Sequence, residues 1–379
     1  MIKQAVLHIG GEKTGTTTLQ QFMTRNAAAV KRAGYYYPCE RNNICFWNFG
    51  HFPVAGCLID DDGVDFVSEK RRRTFSCVLD VLTKYCKAAN QTLILSCEHF
   101  SSRLTRHQQL QALRSALPVD DIKIVFYARE PSELALASWS TSVRNGGRRK
   151  FDVDEVMPTN RYFAHVQVLD LWADVFGREN LIVREYDRSR LANGDIREDF
   201  CQLLGVKLEH SLFEEDQNRS LDLQRLEVLR HINCSLPLHF ECESGWRKAQ
   251  SIRQLIAECV PEGIPLEALM SKRDAATIRA RFGEVNRELS ERYFNGQLSR
   301  KWFEHDTEDG NHADASRAEN VDLASALRET IIRIAEMAHD YESRSPKRRL
   351  RNRMQKAAAI MRQLGHRLLP RAARLSAHR

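Results

Sequence analysis

Nowhere does the 379-residue chain approach the roughly 18 or more consecutive apolar residues that a membrane-spanning helix needs. Its opening, MIKQAVLHIGGEKTG, lacks the long apolar segment and the small-residue cleavage site of a secretory leader, so a cytoplasmic location is expected. The ten cysteines include no CxxC pair, and without a leader they read as free thiols in a reducing compartment. Cys39, Cys45 and His51 lie near one another, but their spacing fits no known zinc framework, and no metal is expected. No internal repeat is present. Acidic residues are missing altogether from Arg344 to Arg379, a stretch that holds twelve Lys or Arg. Setting those aside leaves 45 basic against 50 acidic residues, a net charge of −5 for residues 1–343, so the formal +7 belongs to the tail. The broad basic field of a nucleic-acid-binding body is absent, and no nucleic-acid partner is expected.

What is present is an ordinary globular balance of 42% apolar and 28% charged residues. Four short apolar runs stand out: AVLHI (5–9), TLILS (92–96), IKIVFYA (122–128) and NLIVRE (180–185). Each is continuously apolar, which predicts strands buried on both faces of a parallel sheet. Helical patterns separate them, at Thr17–Arg32 and Arg106–Ala116, and continue at 223–233 and 274–294. The alternation predicts an α/β fold with a central parallel sheet flanked by helices and a helical C-terminal part. We divide the chain into a catalytic domain over 1–303, an acidic linker and helix over 304–343, and a basic amphipathic tail over 344–379. In that tail Leu350, Met354, Ala357, Met361, Leu364 and Leu368 recur at intervals of four and three among basic residues, a pattern suited to an anionic membrane surface. A solvated tail and a helix packed on the acidic body are the alternatives.

The segment VLHIGGEKTGTTTLQQFM reads as a strand, a glycine turn and a helix beginning near Thr16. Such a turn aims backbone N–H groups and the positive helix end at one point, the usual way to hold a phosphate. Lys13 adds a mobile cation, and Thr16, Thr17 and Thr18 add hydroxyls; capping of the helix by threonine is the plainer explanation. Gly10 and Gly15 have the separation of a Walker A motif, yet Thr16 stands where that motif needs lysine, and the lysine comes at position 13.

The third strand leads into YAREPSELALASWSTSVRNGG (127–147). Together with Lys13-Thr14-Gly15-Thr16-Thr17, this resembles sulfotransferases that use 3′-phosphoadenosine 5′-phosphosulfate (PAPS), in particular bacterial carbohydrate sulfotransferase-like proteins. The resemblance spans roughly residues 3–300 and is specific only at these two motifs. It implies a P-loop-like fold and PAPS as co-substrate, with 3′,5′-ADP as product and no metal. By resemblance Lys13, Thr14, Gly15, Thr16, Thr17 and Thr18 hold the 5′-phosphosulfate, and Arg129 with Ser138 holds the 3′-phosphate. The interval from Arg129 to Ser138 is one residue longer than the family's, so Ser140 and Ser142 remain alternatives. Weaker likenesses run through LILSCEHF (93–100), RLANGDIREDFCQLLGV (190–206) and Asn218-Arg219-Ser220. The basic element that closes over PAPS in cytosolic relatives has only Arg247 and Lys248 as counterparts.

The same resemblance implies in-line transfer of a sulfuryl group to a hydroxyl or amine of a carbohydrate. Lys13 would neutralise the leaving oxygen, and Glu98 or His99 would take the acceptor's proton. Adjacent residues of a strand face opposite ways, so only one of the two would face the cleft. Polysaccharide, lipid-linked glycan and small metabolite all stay open as acceptors. A nucleotide kinase and a nucleotide-binding protein with a decayed site are the rival functions.

Overall fold

The computed structural model describes residues 4–59, 73–88, 91–206, 221–235 and 263–304. The expected helix at 323–341, the tail, Arg247, Lys248 and Asn218–Ser220 lie outside the described residues. Five strands, β1 (Gln4–His8), β2 (Tyr35–Tyr36), β3 (Thr92–Ser96), β4 (Asp121–Ala128) and β5 (Leu181–Glu185), pair in the order β2-β3-β1-β4-β5. Every pairing is parallel. The helices are α1 (Thr16–Arg25), α2 (Ala27–Arg32), α3 (Phe52–Gly56), α4 (Val78–Ala88), α5 (His99–Arg103), α6 (His107–Ala116), α7 (Pro131–Arg144), α8 (His165–Phe176), α9 (Ile196–Leu203), α10 (Leu223–Ser235), α11 (Lys272–Arg281) and α12 (Gly283–Tyr293). The protein is thus an α/β molecule with a parallel sheet flanked by helices.

Alternate residues of the central strands feed two cores. Ala5, Leu7, Leu93, Leu95, Ile124 and Phe126 face one, packed with Leu110, Leu113, Leu169 and Trp172. Val6, Ile94, Val125 and Tyr127 face the other, against Leu19, Phe22, Ile196 and Phe200. Burial on both sides is why these strands carry apolar residues without a polar alternation. The expectation fails for β5, where Leu181, Ile182 and Val183 are only half-buried, because β5 is an edge of the sheet. Asp199 ties that edge down: it is fully buried, accepts from Tyr127 Oη at 2.9 Å, and pairs with Arg184.

Two expected helices are broken. Thr17–Arg32 divides at Asn26, whose φ of −103° and ψ of 18° leave the helix while its side chain bonds the Phe22 carbonyl at 3.0 Å. The 274–294 helix divides at Phe282, a fully buried ring anchored beside Phe163. The two-residue β2 was not expected; it is too short to show a periodic pattern.

The chain forms two compact units, the first being 1–134, 154–219 and 276–305, and the second 135–153, 220–275 and 306–379. The first contains the sheet. In the second, Asn233 of α10 donates to the carbonyls of Val143 at 2.8 Å and Gly147 at 3.0 Å, which pins the turn after α7.

Candidate functional site

A parallel sheet sends every strand out at the same edge. His8 of β1 lies beside Ser96 of β3 and Val125 of β4, and Ala128 of β4 lies beside Glu185 of β5. Lys13, Glu98, Arg129 and Tyr186 therefore all follow the carboxyl ends of neighbouring strands. β1, between β3 and β4, is where the strand order changes direction, the place where open α/β sheets bind ligands.

The glycine turn from Gly10 to Gly15 is built from its own residues. Thr14 is fully buried, and its hydroxyl donates to the Gly11 carbonyl at 2.7 Å and accepts from the Gly11 N–H at 3.2 Å. That hydroxyl braces the loop. Gly15, with φ of 74°, occupies the cap position of α1 in a left-handed conformation that a side chain resists. Lys13 adopts a similar φ of 60° despite its side chain. Thr16 Oγ1 is buried at the first turn of α1 with no hydrogen-bond partner among the described residues. Thr17 is exposed and Thr18 half-buried. The Lys13 ammonium is loosely paired with Glu12 at 4.0 Å.

Glu98 and His99 are not strand neighbours, contrary to expectation. β3 ends at Ser96, Glu98 has helical angles (φ −64°, ψ −26°), and His99 begins α5, so alternation along a strand does not choose between them. Glu98 borders the loop: a methyl group on Gly10 would lie 3.2 Å from its Cα and 3.0 Å from Thr16 Oγ1. Its carboxylate accepts from Gln20 Nε2 at 3.3 Å, rather than pairing with Lys13. The His99 ring instead meets the ring of Phe52 edge-on at 5.1 Å.

Gln20 was missed in the sequence. It stands one turn after Thr16 on α1, is buried, and donates from the same nitrogen to the carbonyl and hydroxyl oxygens of Ser96, at 3.2 and 3.3 Å. Beneath it His8 Nδ1 lies 2.8 Å from Ser96 Oγ, and burial drives the His8 imidazole down to about 3. His51 accepts the Ser96 N–H on Nδ1 at 3.0 Å, leaving Nε2 to donate to the Pro38 carbonyl at 3.3 Å. Burial brings His51 down to about 4, although these backbone bonds oppose it. His51 therefore has its two nitrogens engaged with backbone groups.

Arg129 lies at the exit of β4. Its Nη1 donates to the Lys13 carbonyl at 2.7 Å, its Nε lies 3.6 Å from Glu133, and its guanidinium lies 5.5 Å from the centre of the Tyr186 ring. Buried Nε makes no hydrogen bond among the described residues. The backbone of Arg129 is fixed by His165, whose Nε2 donates to its carbonyl at 2.9 Å. Helix α7 starts immediately afterwards because Pro131 suits its first turn and the Glu130 carboxylate accepts the N–H groups of Ser132 and Glu133, each at 3.1 Å. Ser138, Ser140 and Ser142 lie farther along α7, in the second unit. Among the described residues no group of three or more His, Cys, Asp or Glu is placed to hold a metal ion. No described helix is long and apolar enough to cross a membrane.

No protein-family model matches the chain. It is 25% identical over 187 residues to an uncharacterized protein of Archaeoglobus fulgidus, a match covering 49% of this chain and 50% of that protein. The chain thus spans about half the length of the curated relative it matches. Among solved structures, a sulfotransferase from Alicyclobacillus acidocaldarius overlaps 65% of this chain and 99% of its own at 16% identity, with a TM-score of 0.32. A superposition this loose carries no argument about function.

Proposed function

We propose that the protein is a PAPS-dependent sulfotransferase acting on a carbohydrate hydroxyl or amine. The observation that carries this reading is the meeting of two anion-directed groups at one sheet edge. One is the loop Lys13–Thr18 with its unpartnered Thr16 hydroxyl. The other is Arg129, whose guanidinium reaches the Lys13 carbonyl while its Nε keeps no hydrogen-bond partner. A donor bearing phosphate at both ends of its ribose calls for two such groups, and PAPS supplies the sulfuryl group to be transferred. Arginine meets a phosphate as a forked donor.

In this reading Lys13 neutralises the charge that grows on the oxygen leaving sulfur, and the end of α1 holds the 5′-phosphate. The acceptor oxygen bonds to sulfur as the bond to the leaving oxygen breaks, and its proton passes to Glu98. We favour Glu98 over His99 because its backbone abuts Gly10 and its carboxylate is oriented by Gln20. A nucleotide kinase is the second reading, favoured only by the separation of Gly10 and Gly15. The tail pattern fits acceptors that are lipid-linked.

The test is release of 3′,5′-ADP from PAPS across a panel of polysaccharides and amino sugars, with ATP as the rival donor. Acceptor-dependent release that Lys13→Ala abolishes supports the proposal. Transfer from ATP in place of PAPS would assign the protein to the kinases.

A further inference from the structure

The Arg129 guanidinium does not stand alone at the site's edge. Glu133, one turn along α7, turns one carboxylate oxygen toward Arg129 Nε at 3.6 Å and the other to the ammonium of Lys301. Lys301 also donates to Asp187 at 2.7 Å, just beyond β5. Asp187 is itself fixed by Ser189, whose N–H and hydroxyl donate to it at 2.8 and 2.6 Å. Two cations and two carboxylates thus form a line of zero net charge, gathered from three distant parts of one compact unit.

The line is ordered so that its signs matter. A carboxylate beside an anion-binding arginine opposes the anion it should attract, and Glu133 lies there. Lys301 offsets it from the far side. Burial alone would lower the Lys301 ammonium, but the bonds to Asp187 and Glu133 outweigh it and hold Lys301 above its ordinary value. Burial likewise pushes Asp187 up, and the bonds from Lys301 and Ser189 overcome it, bringing the carboxyl down to about 2. Both ions therefore stay charged across the neutral range. Lys301 is also held in place by its neighbours: Trp302 is buried and donates to Glu185 at 2.7 Å, and the Ser299 hydroxyl bonds the same carboxylate. The segment keeps its anchors when the ammonium is removed.

We propose that Lys301 is a specificity-determining residue for the nucleotide: by neutralising Glu133 it leaves Arg129 free to act on a 3′-phosphate, although it need not touch the ligand. The proposal rests on the reading that Arg129 meets the 3′-phosphate. It makes Lys301 a positioning and charge-balancing residue, and Glu133 the group through which it acts.

Calorimetric titration of 3′,5′-ADP and 5′-ADP into the full chain tests this. Lys301→Ala should weaken 3′,5′-ADP by about fivefold to tenfold while 5′-ADP changes by less than about twofold, since one unscreened carboxylate repels a dianion near it. Lys301→Arg keeps the charge and should keep the wild-type preference. Adding Glu133→Gln to Lys301→Ala removes the exposed carboxylate and should restore 3′,5′-ADP binding, a rescue that a purely structural lysine would not give. Equal losses for both nucleotides, no loss, or no rescue in the double variant would overturn the proposal while wild-type preference for 3′,5′-ADP stands. A wild type with no preference would overturn the functional reading itself, and this proposal with it.

Discussion

The glycine loop around Lys13 and the charged line through Arg129 lie at one edge of the sheet but are made in opposite ways. The loop is local: Thr14 braces Gly11 three residues away, and Gly10, Lys13 and Gly15 turn the chain with positive φ. The line is assembled from afar, joining residues 129 and 133 to 187 and 301 through charged side chains. The bond from Arg129 to the Lys13 carbonyl connects the two. A local device announces itself in sequence, whereas a long-range one is visible only when the fold brings its members together. The two should also fail differently, the loop through geometry and the line through screening and charge balance.

The largest expected effect falls on the loop. Lys13→Ala should lower turnover of PAPS by about a hundredfold or more, the usual cost of losing a group that stabilises transition-state charge. Its melting temperature should stay at the wild-type value, because among the described residues the ammonium makes only the loose pair with Glu12. A variant that melts early would show the lysine holding the loop together instead.

Beneath the loop, His8 should set an acid limit on stability. Burial drives its pKa down to about 3 from an ordinary 6.5, so between those values the unfolded chain binds a proton that the folded chain refuses. Stability is then complete above about pH 6.5 and drains as the pH falls toward 3, approaching about 1.4 kcal/mol per pH unit for this histidine. His51, lowered to about 4, adds in the same direction. Urea midpoints at pH 7 and pH 5 measure the slope, and His8→Asn should flatten it. An equal slope in that variant would remove His8 from the account.

Gln20→Met separates orientation from binding. It preserves shape but removes the donor to Glu98 and Ser96. We expect kcat to fall about tenfold, less than the roughly hundredfold or more that loss of the acid–base group itself would cost, with little change in 3′,5′-ADP affinity. Loss of affinity with unchanged kcat would place Gln20 in the nucleotide site.

A smaller effect belongs to Gly15→Ala. A side chain at φ of 74° costs about 1–2 kcal/mol, and its methyl would lie 3.0 Å from the Tyr186 hydroxyl. Chemical denaturation should show that loss, and wild-type stability would mean that the loop relaxes freely.

Sequence reading found four of the five strands because parallel strands buried on both faces are unbroken apolar runs, and it found the glycine turn and the start of α1 because consecutive residues spell them. It misplaced Glu98 and His99, extending β3 by three residues where the chain already turns into α5. Asn26 and Phe282 end helices through their own side-chain contacts, which periodicity does not register. Glu133 was within reach, four residues after Arg129 and in the first turn of the helix that follows it. Gln20 carried a similar signal, one turn after Thr16. Lys301, Asp187 and Tyr186 carried none, since nothing near them in the chain relates them to Arg129.

The central claim is that this edge recognises a nucleotide phosphorylated at both 3′ and 5′ positions. Its most direct test is a paired titration of 3′,5′-ADP and 5′-ADP into the wild-type chain at one salt concentration. The account predicts that 3′,5′-ADP binds about ten- to a hundredfold more tightly, the worth of one charge-assisted contact at Arg129. Equal affinity for the two would contradict it.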